Sequence, residues 1–129
     1  MFKYETHLHS SASSACGKST PEEEVHYYKE KGYTGIFITD HFWHGNTCID
    51  KSLPWEEWVS QYCDAYRRAK AEGDLIGLQV FFGWETTYGG ADFLVYGLDE
   101  EWLRTHPEII EVDEKGQYEL VKKSGGYVF

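Results

Sequence analysis

The chain has 129 residues, 41% of them hydrophobic and 17% aromatic, which suffices for one domain with its own core and argues against disorder. Its 12 Lys and Arg stand against 22 Asp and Glu, a formal net charge of −10. That balance, with no local basic stripe, opposes stable nucleic-acid binding and also repels a small anionic substrate, unless bound divalent cations reverse the local sign.

Cys16, Cys48 and Cys63 are odd in number and none sits in a CxxC pair. Neither a disulfide framework nor a thiolate zinc knuckle is indicated, and a reducing, cytoplasmic setting fits. The opening residues lack the basic start and apolar stretch of a signal peptide. No apolar run approaches the roughly 20 residues of a membrane span, so no membrane contact is expected.

In chain order, Phe2, Tyr4, Thr6 and Leu8 alternate with Lys3, Glu5, His7 and His9. This is the period of a strand with two faces, and it points both histidines the same way. After a loop of small residues, Thr20-Pro-Glu-Glu-Glu24 supplies an N-cap, a proline at the first helical position and acids in the first turn. Lys29, Lys31 and Gly32 mark that helix's end. Gly35 to His41 reads as a strand buried on both faces, with a polar tip.

Pro54 opens a second helix whose Trp55, Trp58, Val59, Tyr62, Cys63, Tyr66 and Ala69 form a core stripe, with Gly73 as its stop. Leu78 to Glu85 reads as a third strand ending in an acid, and Phe93 to Gly97 as a fourth after the loop Thr86 to Asp92. Helical pieces are expected around 100–105 and 118–123, and Tyr127-Val-Phe reads as the start of a further buried strand. The strand and helix order is that of an α/β fold built from parallel crossovers, in one domain over residues 1–129.

His7 and His9, Asp40 and His41, and Glu85 fall at the C-terminal ends of three separate predicted strands. In a parallel sheet or barrel, ligands and catalysts gather there. Histidine and carboxylate donors suit zinc, iron or manganese, and a glutamate has two oxygens with which to bridge two ions. An exposed histidine pair and, for Asp40, a turn cap are the alternatives.

The set "HLH" at His7 to His9, "ITDH" at Ile38 to His41 and "GWE" at Gly83 to Glu85 resembles the polymerase and histidinol phosphatase superfamily, the PHP domains. The resemblance implies a distorted seven-stranded α/β barrel, of which this chain would supply the N-terminal half to two-thirds, and hydrolysis of phosphoesters with up to three divalent ions. His7 and His9 would ligate the first ion, Glu85 would bridge the first and second, and His41 would hold a third. Asp40 and Glu85 would take part in catalysis, Asp40 by orienting a ligand or handling a proton.

Relatives carry a histidine where this chain has Asp92, which would replace it as a ligand or face water. Cys16 lies in a loop where relatives place an acid or histidine ligand, a buried thiol being the alternative. The His-Pro and Asp-x-His of relatives are not found, since His106-Pro107 lies in an acidic segment. The expected activity is therefore a phosphoesterase acting on a small phosphorylated substrate, incomplete without further residues or a partner chain. An inactive fragment serving as a metal-binding or subunit-interaction module is the alternative.

Overall fold

The computed structural model describes residues 1–129. Thr20 caps the first helix, α1 (Pro21–Glu30), through a reciprocal pair: Glu23 N–H donates to the Thr20 hydroxyl at 3.2 Å, and Thr20 N–H donates to the Glu23 carboxylate at 2.9 Å. Before it lies strand β1 (Tyr4–Glu5) and after it β2 (Gly35–Ile38), paired in parallel with Tyr4 opposite Gly35. The strand expected through His9 stops at Glu5. Beyond it the Leu8 N–H is taken by the Thr39 hydroxyl rather than by a ladder carbonyl.

The second helix, α2 (Trp55–Ile76), runs past Gly73 and ends at Gly77, which is left-handed with φ +78°. Gly73 is no stop but a close approach: a β-carbon there would lie 2.6 Å from the Leu78 carbonyl oxygen and 2.7 Å from Val80 Cγ2. Strand β3 (Gln79–Tyr88) pairs in parallel with β2 through Phe82 and then continues past Glu85 as an antiparallel partner of β4 (Ala91–Tyr96).

Glu85 is thus mid-strand rather than at a strand end, and it still bridges His41 in parallel beyond the end of β2. The residues expected as a loop form a hairpin instead, because Gly89 and Gly90 take φ +56° and +85° and close it in two residues. Helix α3 (Glu100–Thr105) matches expectation. After a 3₁₀ turn (Pro107–Ile110) comes α4 (Glu114–Lys123), which starts earlier than expected because Asp113 caps it. Strand β5 (Tyr127–Val128) joins β4 antiparallel, completing a five-stranded sheet in the order β1-β2-β3-β4-β5. Parallel crossovers account for the first three strands only.

The core lies between sheet and helices. Ile36, Ile38 and Val80 pack with Val25 of α1 and Ala65 and Ala69 of α2, while Trp58, Tyr62 and Cys63 pack with Phe42, Trp84 and Leu103. Each large side chain so buried contributes about 1.5–3 kcal/mol. The opposite face of the sheet carries Phe37 stacked on Phe81 at 4.7 Å, with Tyr96 at 5.2 Å from Phe37. Phe81 is exposed, so β2 is covered on one face and not on both. No helix is long and apolar enough to cross a membrane.

Candidate metal centre

Thr39, at the end of β2, fixes where the first histidines go. Leu8 N–H donates to its hydroxyl at 2.8 Å, and its own N–H donates to the Leu8 carbonyl at 3.0 Å. Leu8 is thereby seated in the core with Val25 and Ile36, and alternation along extended chain sends His7 and His9 to the other side.

Glu85 is brought to them by the sheet. Its N–H donates to the Asp40 carbonyl at 3.0 Å, and its carbonyl accepts from Phe42 N–H at 2.7 Å. Its carboxylate, buried at 2% exposure, meets three imidazoles. His7 Nε2 touches Oε2, His9 Nε2 lies 3.2 Å from the same oxygen, and His41 Nδ1 lies 3.2 Å from Oε1. His7 Nε2 and His9 Nε2 are themselves 3.2 Å apart.

An ionised carboxylate buried without a counter-charge is costly, yet no lysine or arginine pairs with Glu85. His41 Nδ1 is buried and, despite its closeness to Glu85, lacks the alignment of a hydrogen bond and has no partner. Burial, reinforced by His9, holds His41 below the ordinary histidine range, while Glu85 and Asp92 pull the other way. The neutral ring is the form that ligates a metal. The donors of His7, His9 and Glu85 lie within 4.8 Å of one another, as do those of His9, Cys16 and His41. A carboxylate surrounded by imidazoles, with an orphaned ring nitrogen beside it, fits a divalent cation.

Asp40 sits beneath this cluster, not in it. Oδ1 accepts from Ser10 N–H at 2.6 Å and from the Ser14 hydroxyl at 2.7 Å, and Oδ2 accepts from the Ser10 hydroxyl at 2.9 Å. The Ser14 hydroxyl in turn accepts the His41 N–H at 2.9 Å. Burial pushes the Asp40 carboxyl up, and the Ser14 and Ser10 hydrogen bonds oppose it. The small-residue loop is therefore not open. Ser10, Ser13 and Ser14 are buried and bonded, and Gly17 approaches so closely that a β-carbon would meet the Ser10 oxygen at 2.1 Å.

Ser10, Ser14 and Thr39 form the frame of the site although their residue types carry no metal chemistry of their own. The only sequence signal for them was their bunching around the His and Asp motifs.

Of the remaining candidates, Cys16 joins the cluster, its Sγ 3.6 Å from His9 Nδ1. Asp92 lies in β4 opposite Thr87, exposed, and accepts the Thr87 hydroxyl at 2.7 Å; it belongs to neither donor group. His44 donates to the Ile110 carbonyl at 2.9 Å and His106 to the Trp102 carbonyl at 2.7 Å. His26 pairs with Glu72 at 2.6 Å on the surface.

No curated protein matches the chain. Among solved structures, a two-domain protein from Bacteroides vulgatus containing a predicted PHP-like metal-dependent phosphoesterase is similar over 99% of this chain, with a TM-score of 0.73 and 20% identity. A candidate metal-dependent phosphoesterase from Bifidobacterium adolescentis is similar over 77%, with a TM-score of 0.51 and 20% identity. The chain spans 34% and 29% of their respective lengths. The sequence matches the PHP domain family over residues 5–127, and with that match covering nearly its whole length the chain belongs to the PHP domain family.

Proposed function

We infer that this chain carries the metal-binding part of a phosphoric ester hydrolase acting on small phosphorylated substrates. The observation that carries this is the buried Glu85 carboxylate, met by three imidazoles and by no lysine or arginine. His7, His9 and Glu85 would hold one ion, Glu85 would share itself with a second, and His41 would hold a third. Zinc, manganese and iron all suit such donors. A divalent ion there supplies Lewis acidity, acidifying water toward neutral pH and offsetting charge on the phosphoryl oxygens.

The chain's own residues do the rest. Thr39 aims His7 and His9, and the Asp40–Ser14 pair holds the backbone of His41. Asp40 thus acts by orienting a ligand, since both its oxygens are already engaged by hydroxyl and amide donors. The chain's net charge of −10 makes the ions the attraction for a phosphate.

On the same reading the sheet is part of a barrel whose interior face bears Phe37, Phe81 and Tyr96. That face is open here, which leaves room for further strands or a partner chain. With few protein donors per ion, weak turnover is expected of these 129 residues alone.

The test is hydrolysis of p-nitrophenyl phosphate by the chain loaded with manganese or zinc. Chelation should abolish turnover, added ion should restore it, and Glu85→Gln should reduce it to background. Turnover indifferent to chelator and to Glu85→Gln contradicts the assignment, and bound metal without any turnover would mark a metal-binding module instead.

A further inference from the structure

Between the β3–β4 hairpin and α4 lies a cleft of about 880 Å³, a volume typical of small-molecule sites. Tyr88 and Phe93 line it, on the face of the hairpin that also carries Trp84 and Val95 into the core. Alternation along β3 puts Glu85 on the opposite face, so the cleft is separate from the metal cluster. Gln117 of α4 forms part of its wall. That residue is 1% exposed, and its side-chain Oε1 has no hydrogen-bond partner. A buried amide oxygen left unpaired is costly, and a donor that enters from the cleft would relieve it. We propose that this cleft binds a nucleoside through its base.

Three rings face the space beside that amide. Tyr88 is pinned in place, its hydroxyl donating to the Val112 carbonyl at 3.2 Å and its ring lying 6.4 Å from that of Phe93. Tyr118 of α4 lines the cleft while half exposed. The start of α4 does not serve a phosphate: Asp113 already caps it, accepting the Gly116 N–H at 2.8 Å, and Glu114 adds a second acid. The recognised group is therefore a flat, uncharged one. An amide presents a donor and an acceptor side by side. The edge of a base offers the complementary pair, and its faces stack on aromatic side chains.

Titration of the isotope-labelled full chain with adenosine, followed by NMR and calorimetry in the presence of a chelator, tests this. The side-chain amide signal of Gln117 should shift along a saturable curve. Tyr118→Ala, at an exposed position, should weaken binding about 10-fold, the loss of one stacked ring. Gln117→Leu should weaken it at least as far while zinc uptake stays unchanged, and if that variant does not fold, Tyr118→Ala decides. Tyr127→Ala, exposed and outside the cleft, should bind as the wild type does. Glucose, a ring without a base edge, should not compete. Adenosine binding that survives both cleft substitutions, or that glucose displaces, overturns the base assignment. No signal shift and no heat with adenosine overturns the site itself.

Discussion

Asp40 grips Ser10 twice, accepting its amide at 2.6 Å on one carboxylate oxygen and its hydroxyl at 2.9 Å on the other. Both residues are buried, and Ser14 extends the contact to the His41 backbone. One carboxylate therefore fastens the loop after the first two histidines to the strand end that bears the third.

Asp40→Ala should loosen that loop. It orphans the Ser10 amide and hydroxyl and frees the Ser14 hydroxyl, at about 1–3 kcal/mol for each buried donor left unmet. Urea unfolding should register the loss, and metal affinity should fall in parallel, since the ligands lose their common support. A variant with unchanged stability and unchanged metal uptake would show that the contact organises nothing.

Gly73→Ala gives a prediction whose sign separates packing from propensity. Alanine is favoured over glycine inside a helix by about 1 kcal/mol, so α2 considered alone should gain. The added β-carbon would press on the Leu78 oxygen and Val80 Cγ2 at 2.6 and 2.7 Å, and overpacking of this kind costs about 1–3 kcal/mol. Net destabilisation in chemical denaturation is expected, and a stabilised variant would refute the close approach.

Glu22 and Arg68 tie α1 to α2 by two hydrogen bonds of 2.7 Å. The Arg68 side chain draws the Glu22 carboxyl below its ordinary value of 4.5, with burial opposing. A depressed carboxyl contributes stability that is present above its unfolded value and lost as pH falls through the folded one. The pair's contribution should therefore disappear on acidification below about pH 4.5. Both side chains are more than a third exposed, so Glu22→Gln should cost only about 0.2–1 kcal/mol at pH 7. That difference from the wild type should shrink at pH 3 in thermal unfolding; a gap that stays constant would rule the linkage out.

Much of the site was legible because the donors are chemically distinctive. His7, His9, His41 and Glu85 belong to residue types that seldom cluster except for chemistry, and they recur after apolar runs that read as strands. The hydrogen-bonding frame was not legible. Ser10, Ser14 and Thr39 are common in loops and turns, and only the fold reveals that they are buried. The fold diverged from the sequence where short-range signals competed. Gly89-Gly90 read as loop chemistry but closes a hairpin, and Gly73 read as a helix stop but marks contact between α2 and β3. Such distinctions depend on what lies across the contact, which no local pattern records.

The central claim is that His7, His9 and Glu85 jointly hold a divalent ion. Metal analysis by mass spectrometry of the chain, loaded with zinc or manganese and passed through gel filtration, tests it most directly. At least one ion per chain should remain bound in the wild type and be lost in His7→Ala combined with Glu85→Gln, with circular dichroism unchanged. A wild type that emerges without metal, or a folded double variant that retains the same metal content, would contradict it.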